Sequence, residues 1–227
     1  SIVGHHKRHR LFAHARWAAS KAGDLLAAET EVIADAGAYV YTTNKVMGNT
    51  LLTVNGPYRI PNVKTDVLAV YTNNIPGGAF RGFGAPQGNF VAESQMNKLA
   101  EALDMDPVAF RLRNLVGDGD PMPWGKPLPD SAEGLRQSLV AVAESLGWRR
   151  VSEQDQDEDG VAGWVAPEVK PRPDDSDYVR RGFGIALGFK NVGFSFGYQE
   201  NAWAGVELYG GAEIDRVVAY AASAEVG

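Results

Sequence analysis

The sequence predicts an α+β fold, a mixed sheet with hairpins and flanking helices, on three observations. Apolar residues alternate on both sides of the turn-prone Lys21-Ala22-Gly23-Asp24, and later segments carry apolar residues at helical spacing. Strand and helix patterns alternate only partly along the chain, which favours a mixed arrangement over a doubly wound parallel sheet. The 227 residues suffice for one large domain or two small ones, and at this size roughly 70% of the unfolded surface can be buried.

Taken in order, Leu11 to Trp17 and Leu26 to Ala34 read as two strands of a hairpin. A third strand from Val63 to Tyr71 feeds a glycine-rich run. Ala92, Met96, Leu99 and Leu103 then recur on one helical face. Asp106 followed by Pro107 is an N-cap with proline at the first helical position, and Val108, Leu112 and Leu115 supply that helix's apolar side. Leu135, Leu139, Val142 and Leu146 mark a third helix, stopped by Gly147. Ser152 to Asp177 is acidic, then proline-rich, and reads as an excursion or mobile loop. Three strands are expected to close the chain: Gly182 to Lys190, Ala202 to Tyr209 and Glu213 to Ala222, the last two joined at Gly210-Gly211. No internal repeat is visible.

Composition excludes several functions. A net charge of −6 with a pI near 5.3 argues against a general nucleic-acid binder, which needs cations to neutralise a row of phosphates. No apolar stretch approaches the length of a membrane span, and no signal-peptide pattern opens the chain, so a cytoplasmic location is expected. The absence of cysteine rules out disulfides, thiolate metal sites and cysteine-ligated iron–sulfur clusters within these residues.

The segment richest in chemistry is GGAFRGFGAPQ, Gly77 to Gln87. Glycines let a backbone take unusual dihedrals and bring its N–H groups close to a ligand. Arg81 adds a permanent cation with a planar fork of donors, suited to an anionic, oxygen-rich cofactor or substrate, and Phe83 adds a ring. The spacing matches neither GxGxxG nor a P-loop. His5, His6 and His9 lie among Lys7, Arg8 and Arg10, which would repel a divalent cation, so HHKRHR reads as a solvated basic segment. His14 reads as a strand residue. The acidic run Glu153 to Asp159 lacks the order of a calcium loop and reads as a solvated charge run. No metal site and no catalytic residue is assigned.

From Pro57 to Leu115 the chain closely resembles the molybdopterin-binding subunit of the xanthine dehydrogenase and aldehyde oxidase family. The likeness rests on YRIPN at Tyr58 to Asn62, the Thr72-Asn73 pair, the AFRGFGAPQ loop and the DPxxxRxxN run from Asp106 to Asn114. GHHKRHR near the start and SAEVG at the end sit where the family has related segments. The resemblance implies that residues 1–227 are an internal fragment of the molybdopterin-binding domain of a larger subunit, without the family's catalytic glutamate. It implies that Arg81, Gly82 and Gly84 contact the cofactor. Phe83 and Phe196, the latter in GFSFG, would flank a planar substrate, and Asn49 occupies the position of a substrate-orienting arginine. An amide there disfavours xanthine, and Gly82 where a copper-binding cysteine would stand disfavours carbon monoxide. The implied activity is hydroxylation of an aldehyde or aromatic N-heterocycle with water as oxygen source, electrons leaving through iron–sulfur and FAD domains or subunits. The alternative is a non-catalytic family member or a subunit-assembly domain.

Overall fold

Alternation of apolar residues builds the hairpin as expected: β1 (Leu11–Ala19) pairs antiparallel with β2 (Leu25–Gly37), placing Phe12 opposite Ile33 and His14 opposite Glu31. The computed structural model describes residues 5–128, 132–151, 163–191, 199 and 201–222. It divides into two compact units, Ser1–Lys190 and Asn191–Gly227. In the first, β3 (Asn62–Tyr71) runs parallel to β2 on its other side, giving the order β1-β2-β3. Parallel neighbours need a crossover. Helix α1 (Thr43–Thr53) lies in that connection.

α1 was not expected from the sequence, because TNKVMGNTLLT is rich in β-branched residues and glycine. Tertiary packing overrides this preference. Thr50 and Thr53 donate their hydroxyls back to the carbonyls of Val46 at 3.1 Å and Asn49 at 2.9 Å, so both side chains are buried without loss of hydrogen bonding.

α2 (Ala85–Ala102) follows the glycine loop and spans about 27 Å at the usual rise per residue. Its expected face is seen: Ala92 and Met96 are buried, and Leu99 and Leu103 pack beside them. α3 (Pro107–Asn114) is capped as expected, Asp106 accepting from the N–H groups of Val108 at 2.8 Å and Ala109 at 3.2 Å. In α4 (Ala132–Ser145), Leu139 is buried and Leu135 packs beside it. Val142 and Leu146 are exposed, against expectation, because Ala143 occupies the inward position.

Two further expectations need correction. The Gly182–Lys190 segment forms no strand: Leu187 N–H donates to Glu93 Oε2 at 2.8 Å, and the Phe189 carbonyl accepts from Asn89 Nδ2 at 3.1 Å. Side chains of α2, not a strand ladder, bond these two backbone groups. Within the excursion Ser152–Asp177, residues 152–162, and with them the acidic run, lie outside the described residues. Trp164, however, is buried in the core, and β5 (Trp164–Val165) pairs with β4 (Arg149–Arg150).

The first unit holds two apolar clusters. One gathers Leu25, Met96, Phe110, Leu139 and Trp148; the smaller joins Ala34, Val46 and Met47, with Leu11, Val67 and Phe83 packed against it. Beside the larger cluster lies a buried ion pair. Arg111 is 0% exposed and donates from Nε and Nη2 to Glu93 Oε2, both at 2.8 Å; Glu93 is 5% exposed and also accepts from the Tyr58 hydroxyl. Burial, then the Glu93 charge, pushes the Tyr58 hydroxyl's pKa well up, so it stays a donor.

In the second unit, β6 (Ala204–Gly210) and β7 (Ile214–Ala221) form the expected hairpin, turning through Gly210 and Gly211. Glu207 Oε2 accepts from the hydroxyl of Tyr209 on its own strand and from that of Tyr220 across the hairpin.

Removing one partner of the buried pair leaves an uncompensated charge. Glu93→Ala is expected to cost ~3–5 kcal/mol in urea unfolding, and the double variant Glu93→Leu/Arg111→Met markedly less.

Candidate functional site

The glycine loop begins where β3 ends, and Asp35 on β2 fixes that exit. Its carboxylate accepts from the Thr72 hydroxyl at 2.6 Å, the Gly37 N–H at 2.9 Å and the Asn74 amide. The Thr72 bond, with the Asn74 and Gly37 bonds, holds the Asp35 carboxyl below its ordinary pKa, so the clamp is anionic at neutral pH. The first loop N–H groups are then used inside the protein: Gly77 donates to the Ala36 carbonyl at 3.0 Å and Gly78 to the Lys7 carbonyl at 2.9 Å. The Ala79 N–H donates to Thr42 Oγ1 at 2.8 Å.

The next residues turn left-handed. Gly82, Phe83 and Gly84 have φ of 87°, 50° and 93°, an uncommon run for a segment containing phenylalanine. Turn bonds from Phe83 N–H to the Phe80 carbonyl at 2.7 Å and from Ala85 N–H to the Gly82 carbonyl at 3.0 Å hold it. Gly84 caps α2 and has two reasons to be glycine: its φ, and a Cβ that would lie 2.4 Å from the Val46 carbonyl oxygen on α1. α1 and the loop are therefore in direct contact.

The basic segment is not solvated as a whole, contrary to expectation. Lys7 bridges to Gly77, and His9 is 4% exposed beneath the loop, so close to Gly77 that an added Cβ would lie 2.4 Å from its ring. His9 Nε2 bonds Thr43 Oγ1 at 2.8 Å on α1. His6 Nε2 bonds the Ala79 carbonyl at 2.8 Å. Arg8 donates to the Arg81 carbonyl and, at 3.2 Å, to Gln87 Oε1. A charge run reads as solvent-facing by default; the signal that it is not is the glycine pair Gly77-Gly78, whose missing side chains admit the imidazole rings of His9 and His6.

The expected site residues fall into three groups. Arg81, Gly82, Phe83 and Gly84 share one turn, with Arg81 exposed and Phe83 half-buried, its ring against the Ala34, Val46 and Met47 cluster. Asn49 is 1% exposed in the middle of α1, next to Thr50, whose hydroxyl lies 3.3 Å from the Gly84 carbonyl. Phe196 and the whole GFSFG run lie outside the described residues. Among the described residues no three His, Asp or Glu side chains gather as a metal site, and no helix is long and apolar enough to cross a membrane.

Burial lowers the His9 pKa from 6.5, with the Asp35 charge opposing in part. The unfolded chain binds this proton first, so the contribution to stability is intact above 6.5 and declines as pH falls from there towards the lower folded value. Wild type is expected to lose more stability between about pH 7.5 and about pH 5.5 than His9→Gln, compared by urea unfolding at each pH.

Comparison with known proteins agrees with this geometry. A family model described as a molybdopterin cofactor-binding domain matches residues 1–115. The large molybdopterin subunit of nicotinate dehydrogenase from Eubacterium barkeri is 39% identical over 63% of this chain and 35% of that one. A probable subunit of xanthine dehydrogenase from Bacillus subtilis is 30% identical over 89% of this chain and 24% of its own length. The solved aldehyde oxidoreductase from Desulfovibrio gigas superposes with a TM-score of 0.54 at 36% identity, over 62% of this chain and 16% of that chain. The chain thus spans about a third or less of these relatives. The left-handed glycine turn, its clamped entry and the family match over the same residues agree: the chain belongs to the molybdopterin cofactor-binding domain family.

Proposed function

We propose that the chain forms one wall of the cofactor site in a molybdenum hydroxylase that oxidises an aldehyde or an aromatic N-heterocycle with water as oxygen source. The observation that carries this reading is the turn from Phe80 to Gly84, which displays Arg81 outward from a backbone stiffened on its inner side. The residues fit an anionic, oxygen-rich group: Arg81 brings a permanent cation on an exposed turn, and Gly82 and Gly84 allow the left-handed backbone that presents it. Bound there, molybdopterin would supply the two-electron redox chemistry. Arg81 holds cofactor oxygen, and the Phe83 ring, backed by the smaller core cluster, orients a planar substrate. No residue of this chain is assigned as general base.

Relatives named for aldehyde, nicotinate and xanthine all match, so the choice of aldehyde and N-heterocycle rests on this chain's own residues. Asn49 and Gly82 count against xanthine and carbon monoxide, for want of an arginine and a thiolate respectively. Iron–sulfur and FAD domains or subunits would carry electrons onward. Alone, the chain is proposed to retain no molybdenum and to turn nothing over. A second reading, subunit assembly, is supported by the sheet's outer face, where Phe12 and Leu68 flank Ile33 and are 50% and 51% exposed.

Two variants of the full-length enzyme separate the readings. Arg81→Ala is expected to remove ~1.5–3 kcal/mol of charge-assisted contact and lower molybdenum content. Phe83→Ala should keep the metal and lower kcat/KM. Full metal and unchanged turnover in both would make the loop structural only.

A further inference from the structure

We propose that Arg8 is a positioning residue that sets the conformation of the Phe80–Gly84 turn and the direction of the Gly82 N–H; its relevance to the cofactor rests on the function proposed above. Arg8 is half-buried and its guanidinium has three partners. Nη2 donates to the Arg81 carbonyl, Nη1 donates to Gln87 Oε1 at 3.2 Å, and the carbon of the fork lies 4.8 Å from the centroid of the Phe80 ring. These partners bracket the left-handed run: Phe80 and Arg81 precede it, and Gln87 sits in the first turn of α2. One rigid, planar group thus ties both flanks of the turn.

The bond to the Arg81 carbonyl has a directional consequence. That oxygen and the Gly82 N–H belong to one peptide unit, and in a trans peptide they point to opposite sides. Holding the oxygen against Arg8 therefore turns the Gly82 N–H away from the inner side of the loop, towards the side on which a ligand would approach. Arg8 is itself held on either side in sequence. The Lys7 carbonyl accepts from Gly78 N–H at 2.9 Å, and His9 is anchored to Thr43. A lysine at position 8 could bond one oxygen as a point charge but could not stack on Phe80 and span to Gln87 at once.

The test is amide hydrogen exchange on the full-length subunit, first free of cofactor and then with molybdopterin and molybdate supplied, for wild type, Arg8→Ala, Arg8→Lys and Arg10→Ala. Arg10 is the control, since its guanidinium stacks on Phe12, away from the turn. In the cofactor-free protein, Arg8→Ala is expected to speed exchange at Phe83 and Ala85 about tenfold. Arg8→Lys should recover part of the protection, and Arg10→Ala should match wild type. Unchanged exchange in Arg8→Ala, or an equal rise in Arg10→Ala, overturns the proposal. Should Arg8→Ala fail to fold, Gln87→Leu cuts one arm of the fork and is expected to give a smaller rise at the same amides; no rise there also overturns it. With cofactor supplied, a matching loss of bound molybdenum in Arg8→Ala supports the whole proposal. Faster exchange with full molybdenum retention supports the hold on the turn and counts against the cofactor reading.

Discussion

The buried pair of Glu93 and Arg111 is the constraint on which the first unit depends. Two opposite charges taken out of water are tolerated only when their remaining lone pairs and protons find partners. Here they do: Arg111 also donates to the Pro107 carbonyl at 3.1 Å and Asn97 Oδ1 at 2.8 Å, while Glu93 accepts from Tyr58 and from the Leu187 backbone. One carboxylate thereby joins α2, α3, the chain before β3 and the Gly182–Lys190 segment. Because α2 begins at Gly84, whatever fixes α2 also fixes the loop at its N-terminus.

The loop meets the rest of the protein largely by close backbone approach, with the Phe83 ring packed against the smaller cluster. Gly84 lies on α1, Gly77 lies on His9, and a side chain at either would have to displace backbone or a buried imidazole. Clamped at its entry by Asp35 and along its inner side by residues 6–9, the turn keeps an uncommon left-handed run. A preset turn loses little entropy when a ligand binds. Strain of this kind persists where the surroundings over-determine it, and such positions cluster at ligand sites.

Several residues that carry the family likeness act as fasteners of the fold. Asp106 caps α3 and accepts from the Trp148 indole at 3.0 Å; Asn114 holds the hairpin turn, accepting from Leu25 N–H and donating to the Gly23 carbonyl, both at 2.8 Å. Thr72 clamps the loop entry and Tyr58 bonds Glu93. These polar groups are fixed in type because each satisfies particular buried or strained partners.

The hairpin, β3, α2, α3 and the β6–β7 ribbon were legible from the sequence, because alternation, helical spacing, a capping aspartate and a glycine turn are local signals. So was the turn holding Arg81, Gly82, Phe83 and Gly84, whose residue types mark an exposed loop. Only tertiary structure decided the rest. α1 is helical against its own propensity because its threonines bond back along the helix while its sides pack on α2 and β3. Gly182–Lys190 joins no strand, and α2 side chains bond two of its backbone groups instead. The segment HHKRHR, hydrophilic by composition, lies beneath the loop because Asp35, Thr43 and Gln87, distant in sequence, are brought around it. Hydrophilicity is a property of the residues, whereas burial depends on which partners the fold delivers.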